Sequence, residues 1–213
     1  LSLHEIGHET LHALLHVDRS ALSLIRALAV RPGRVALDYV SGRRKRYYGP
    51  FAFLVVCVAL SAAAIALTGF AVVNTESPNA IADFLQHHVN LVWFTQVPII
   101  AAALRLLTPR GPFNYAEFLV LAAYTVGMHM LFYTVVEVGG WYFLKPGPGQ
   151  AKAAYLALWP VWPLYLGFAC AQFLPGAKAL CAGKGILAAL IAYAVTQAAV
   201  FAVANVSELW RPH

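Results

Sequence analysis

"PFAFLVVCVALSAAAIALTGFAVV" (residues 50–73) is an unbroken apolar run without a single charge, and it decides the fold. A helix crosses a bilayer with roughly 20 mostly apolar residues, which span about 30 Å of hydrocarbon. This run is long enough. The whole chain agrees with it: 61% of its 213 residues are hydrophobic and only 11% are charged. Soluble domains carry about a quarter charged residues. A water-soluble fold of this length has no interior large enough to hide so much apolar surface, so the chain reads as an integral membrane protein.

Working outward from 50–73, four further runs read as spans. They lie at about 90–107 ("NLVWFTQVPIIAAALRLL", short and carrying Pro98), 115–140, 154–173 and 185–205. The expected architecture is an all-α, five-helix transmembrane bundle over 47–213. In front of it, 1–46 forms a cytoplasmic amphipathic interfacial helix and a basic collar. The helix is read from Leu3, Ile6, Leu11, Leu14, Leu15, Leu22, Leu24, Ile25 and Leu28, which recur at roughly helical spacing while histidines, acids and Arg19 take the other positions. "RPG" (31–33) breaks it, and a short helix "RVALDYV" follows.

The charges set an orientation. The formal net charge is +6, and eight of the fifteen Lys and Arg residues fall within 1–46. With that end inside, twelve basic residues lie on the cytoplasmic side and three (Lys145, Lys152 and Arg211) on the other. The positive-inside rule therefore predicts a multi-pass protein of the bacterial inner membrane, with its N-terminus cytoplasmic and its C-terminus periplasmic. Arg43, Arg44, Lys45 and Arg46 form the collar, and each basic residue near an anionic surface contributes about 1 kcal/mol. They are expected to contact lipid headgroups, so nucleic acid is not needed to explain the basic charge. Most of Trp93, Trp141, Trp159, Trp162 and Trp210 fall near the predicted outer surface. Cys57, Cys170 and Cys181 are far apart, with no C-x-x-C, and read as packing residues. The first twenty residues hold four charges and four histidines, which is not the pattern of a secretory signal.

Around the collar the sequence resembles a bacterial membrane family known only as domain of unknown function thirty-six sixty-seven. Arg31, Pro32, Gly33, Tyr39, Gly42, Arg43, Arg44, Tyr47, Pro50 and Phe51 carry the likeness, and "NYAEFLVLA" (114–122) resembles a second stretch of it. The resemblance implies a membrane location and this architecture. It implies no reaction.

Three constellations bear on chemistry. "HEIGH" (4–8) is H-E-x-x-H, the helical spacing that lets two histidines hold zinc beside a glutamate base. Here it sits in a row, His4, His8, His12 and His16, that drifts about 40° per step around a helix. No downstream third ligand is in place. Zinc-peptidase, metal-binding (His4, His8, His12) and polar pH-sensitive readings stand side by side, the last preferred, and no cofactor is expected. In the third span Thr125, His129, Tyr133 and Glu137 recur every four residues as one polar stripe. Ionisable groups inside a membrane face a bundle interior or a wet cavity, so the stripe is either a cation or proton path or an interhelical seam. Gln96, Gln172, Gln197 and Asn205 are its candidate partners. In the fourth span Pro160 and Pro163 free two carbonyls, giving a kink or a pocket. Arg105 and Glu117 are expected to snorkel or to pair.

No catalytic residue is assigned, so an enzyme is not the favoured reading. The favoured reading is a non-enzymatic accessory or scaffold subunit working through membrane lipids and a protein partner or a second copy of itself. The alternatives are a small-molecule or ion carrier using the stripe, and a zinc-dependent peptidase.

Overall fold

Proline and glycine cut the chain into helices, and no strand occurs among the described residues. The computed structural model describes residues 21–44, 47–69, 80–145 and 147–209. The His row, Lys45, Arg46 and most of the expected interfacial helix lie outside them. Helix α1 (Ala21–Val30) stops at Arg31. Pro32 then opens α2 (Pro32–Val40) in its first turn, where a missing N–H is no loss. Pro50 opens α3 (Pro50–Thr68) in the same way, and Gly69, at φ 66°, closes it in the left-handed region. α4 runs Ala80–Leu107. α5 (Tyr115–Phe132) begins with a capping box: Glu117 N donates to Asn114 Oδ1 at 3.0 Å, and Asn114 N donates to Glu117 Oε2 at 2.7 Å. It continues through a π-helical segment (Tyr133–Val138) into α6 (Gly139–Leu144). α7 (Pro148–Leu158), α8 (Val161–Phe173) and α9 (Lys178–Leu209) complete the chain.

Four helical stretches among the described residues are long and apolar enough to cross a membrane: Pro50–Thr68, Tyr115–Leu144, Leu156–Phe173 and Lys178–Ala202. They coincide with the first, third, fourth and fifth spans expected from sequence. The second falls on α4, whose apolar part, Val92–Leu107, is shorter than a full span.

The core is built around α5, which packs against α2, α3, α4 and α8. Every residue from Leu121 to Gly127 is buried. α3 meets it through Phe53, Leu54, Cys57, Ser61 and Ile65, a buried stripe repeating about every four residues. Its other face leaves Val55, Val56, Leu60 and Leu67 exposed, as a lipid-facing helix should. α9 packs on α8 and α4 and closes the other side. Leu24 and Leu28 of α1, with Val35 and Ala36 of α2, join the same core.

One end of the bundle gathers the basic residues, and we call it the basic end. There Phe113 stacks on Phe173 (centroids 4.3 Å apart), tying the α4–α5 loop to the end of α8. α2 lies across this end, with Tyr39 edge-on to Tyr124 of α5 at 5.9 Å. Gly33 permits the approach: a Cβ there would collide with Ala169 O and lie 2.7 Å from Gln172 Cβ. Gly33 lies within α2 and is buried, so the missing side chain serves this contact. Gly185 lets α9 meet α8 in the same manner, with Leu166 O 2.7 Å from its would-be Cβ. Two residues earlier, Gly183 has nothing within 4 Å.

This contrast gives a test by thermal melting in detergent. Gly185→Ala should destabilise by about 1–3 kcal/mol, as overpacking does. Gly183→Ala should be neutral or stabilise by up to about 1 kcal/mol, the helical gain of alanine over glycine.

Candidate functional site

A proline deprives the carbonyl four residues earlier of its helical donor. Pro32 does this to Leu28 O. The phenol of Tyr165, on α8, supplies the missing bond, donating to Leu28 O at 3.0 Å. Gln172, two turns along the same helix, donates from Nε2 to Val30 O at 3.4 Å. Tyr124, on α5, donates to Tyr48 O at 2.7 Å and fixes the approach to α3. Three side chains from the bundle thus hold the backbone at the end of α1, just before the α1–α2 corner, and at the link from α2 to α3.

The charged residues of this corner are engaged with each other. Asp38 accepts from Arg43 Nη1 and from Tyr47 OH, each at 3.0 Å. Arg44 lies over the Tyr39 ring, 5.8 Å from its centroid. Arg43 is 69% exposed, so its ion pair contributes well under about 1 kcal/mol. Its part is to set the direction of the chain as α2 turns toward α3. The two described members of the headgroup-contact set, Arg43 and Arg44, therefore have partners within the chain and remain open to solvent.

The stripe of the third span is divided among several environments. Thr125 is buried and donates to its own helix, to Leu121 O at 2.9 Å and Ala122 O at 3.1 Å. His129 sits between two indoles, Trp93 of α4 and Trp162 of α8, each 4.6 Å away between centroids. Tyr133 is buried, 6.3 Å from Trp93. Glu137 is half-buried in the π-helical turn, where the wider pitch takes it out of the four-residue register of the other three. Of the expected partners, Gln197 bonds Tyr193 OH at 2.9 Å on its own helix, Gln172 serves the α1–α2 corner, and the side chain of Asn205 lies outside the described residues. Gln96 is buried one turn along α4 from Trp93, and its Oε1 has no hydrogen-bond partner. Trp162 Nε1, Ser61 Oγ, Thr196 Oγ1 and, at the α1–α2 corner, Gln172 Oε1 are buried and without a partner as well.

Pro160 and Pro163 stop one helix and start another. Trp159 and Pro160 form a turn after α7, and both prolines then sit at the start of α8, where Leu164 N donates to Pro160 O at 3.1 Å. Arg105 and Glu117 do not pair. Arg105 Nη1 donates to Thr108 O at 3.2 Å and Pro109 O at 3.0 Å, capping the end of α4, while Glu117 belongs to the α5 capping box. The three cysteines are buried and free. No group of three metal-ligating side chains occurs among the described residues.

The tyrosine clamps and the indole–imidazole stack are not apparent in the sequence. Tyr165 and Leu28 are 137 positions apart, and nothing local connects them. A faint signal exists in Pro32 itself, since a proline one turn past an apolar helix leaves a carbonyl that something must satisfy.

Tyr165→Phe should lower stability by about 1–3 kcal/mol, the cost of orphaning a buried acceptor. Tyr115→Phe removes an exposed 3.3 Å bond to Pro98 O and should cost less than about 0.5 kcal/mol. Chemical unfolding of the two variants in mixed micelles measures the difference.

No curated protein and no solved structure matches the chain. The corner just described, together with most of α3, is where the chain is similar to a known family: residues 23–62 match the model described as Protein of unknown function (DUF3667), the resemblance read from Arg31–Gly33 and the collar.

Proposed function

We propose that this chain is a five-span protein of the bacterial cytoplasmic membrane, N-terminus inside, that acts as an accessory or scaffold subunit through contacts with a protein partner and with lipids. One observation carries the reading. The family-matching segment is used to seat the α1–α2 corner rigidly on α5 and α8, through Tyr165, Gln172, Tyr124 and the close approach at Gly33. A corner so fixed is a platform, a surface of set shape that a partner can dock on at the basic end. Arg43 and Arg44, exposed beside it, suit a headgroup layer. In this reading α4 crosses as the second span, its short apolar part, Val92–Leu107, accommodated by packing between α5 and α9.

A second reading rests on its own observation. The imidazole between two indoles, with Gln96 Oε1 and Trp162 Nε1 lacking partners, is the polar interior that a carrier for a small cation or neutral solute would use.

Two measurements separate these proposals. Purified in mild detergent from its native host, the chain should carry a stoichiometric partner, and Gly33→Leu should reduce that partner about tenfold, equivalent to about 1.4 kcal/mol, while the spans stay inserted. Retention of the partner by Gly33→Leu rejects the platform. His129→Ala and Glu137→Ala should leave assembly and partner unchanged; loss of solute uptake in these variants would favour the carrier. Orientation is tested separately: in Arg43→Cys, a membrane-impermeant thiol reagent should label only from the cytoplasmic face, because the native cysteines are buried.

A further inference from the structure

A groove of about 570 Å³ opens at the basic end between the α4–α5 loop and the start of α9. Its walls are Thr108–Pro112 on one side and Leu174, Pro175, Cys181 and Lys184 on the other. Two of the lining side chains, Arg110 and Lys184, are cationic, and none is acidic. We propose that this groove binds the phosphate of an anionic phospholipid headgroup, with the acyl chains running down the outside of α9.

Four features point to that ligand. First, three of the groove's carbonyls, those of Thr108, Pro109 and Pro175, are already engaged. Arg105 Nη1 takes Thr108 O and Pro109 O, Gly111 N donates to Thr108 O at 3.0 Å, and Cys181 Sγ lies 3.5 Å from Pro175 O. Those oxygens are turned to other donors rather than toward an entering anion, and a third cation, Arg105, binds two of them. Second, Pro109, Pro112 and Pro175 stiffen both walls, so little ordering is lost on binding. Third, Lys184 is half-buried, which favours a fixed anionic partner over bulk water. Fourth, the surroundings are apolar in the pattern a lipid needs. Leu180, Lys184 and Leu187 fall on one face of α9 at helical spacing, and Leu180 and Leu187 are 63% and 45% exposed. Leu106, at the end of α4, is 79% exposed. A soluble phosphate compound would use the two cations and leave these leucines unserved, whereas a lipid uses both. Basic pockets between spans at the cytoplasmic surface bind such headgroups in general.

The proposal rests on the reading that this end of the bundle lies at a membrane surface. It does not depend on which surface, or on the platform at the α1–α2 corner. The test uses the full chain in nanodiscs made of equal parts phosphatidylglycerol and phosphatidylcholine, released for native mass spectrometry. One phosphatidylglycerol should stay bound per chain, preferred about tenfold over phosphatidylcholine. The doubly substituted Arg110→Ala, Lys184→Ala protein should lose that preference, while Arg110→Lys, Lys184→Arg should keep most of it. Equal retention of the two lipids by the unsubstituted chain overturns the proposal, and so does undiminished preference in the double alanine variant. In a parallel arm, millimolar inorganic phosphate should fail to displace the lipid; displacement would identify a free phosphate site instead. Both leaflets of the disc are alike, so a wrong orientation leaves this result unchanged and shows itself only in the Arg43→Cys labelling.

Discussion

A carbonyl without a donor is the constraint around which the α1–α2 corner is organised. Pro32 turns the chain sharply and in doing so strips Leu28 O of its helical partner. In an apolar surrounding that oxygen has to be satisfied from elsewhere. Tyr165 satisfies it from α8, and α2 must then lie against α8 closely enough for the phenol to reach. Gly33 supplies that closeness, and Tyr39 can then meet Tyr124. The turn, the missing side chain and the distant phenol are one device in three parts of the sequence.

The polar chemistry of the molecule divides into two zones of different character. At the basic end the phenols of Tyr124 and Tyr165, the Gln172 amide N–H, Asp38, Arg43, Arg44 and Arg105 are all engaged, with backbone carbonyls, with each other or with an aromatic face. Deeper in the bundle, His129 is enclosed by indoles, and several buried oxygens and nitrogens on α3, α4, α8 and α9 lack a hydrogen-bond partner. The first zone is suited to holding a shape against lipid and neighbours. The second holds His129, and it is where a solute would find ungratified hydrogen-bonding capacity.

Hydropathy made the spans legible, because a bilayer selects on length and apolarity, which are local properties of a sequence. It did so for 50–73 and 115–140 with little ambiguity, and less well for 90–107, where the apolar part is short of a full crossing. The four-residue repeat placed Thr125, His129 and Tyr133 on one helix. It could not foresee the π-helical turn that rotates Glu137 away, since that turn depends on how the helix packs. For Arg105 and Glu117 the sequence suggests snorkelling or a pair; each serves the nearest helix end, where unsatisfied backbone groups compete more strongly than a distant charge. The seating of His129 between Trp93 and Trp162 joins three helices, and no spacing rule reaches across them. The His row at 4–16 lies outside the described residues.

The break at Trp159–Pro160 bears on how the protein is made. α8 alone has 13 residues and rises about 20 Å, two-thirds of a hydrocarbon layer. Emerging from the ribosome, it is too short to settle across the bilayer by itself, and the turn at Trp159–Pro160 weakens its continuity with α7. Only Leu174–Ala177 separates it from α9, a long apolar helix whose glycine at 185 meets it face to face. The two are therefore best delivered to the membrane together, as a helical hairpin that inserts in one step once α9 has been synthesised. A chain truncated inside α9 would leave α8 without the neighbour that meets it at Gly185.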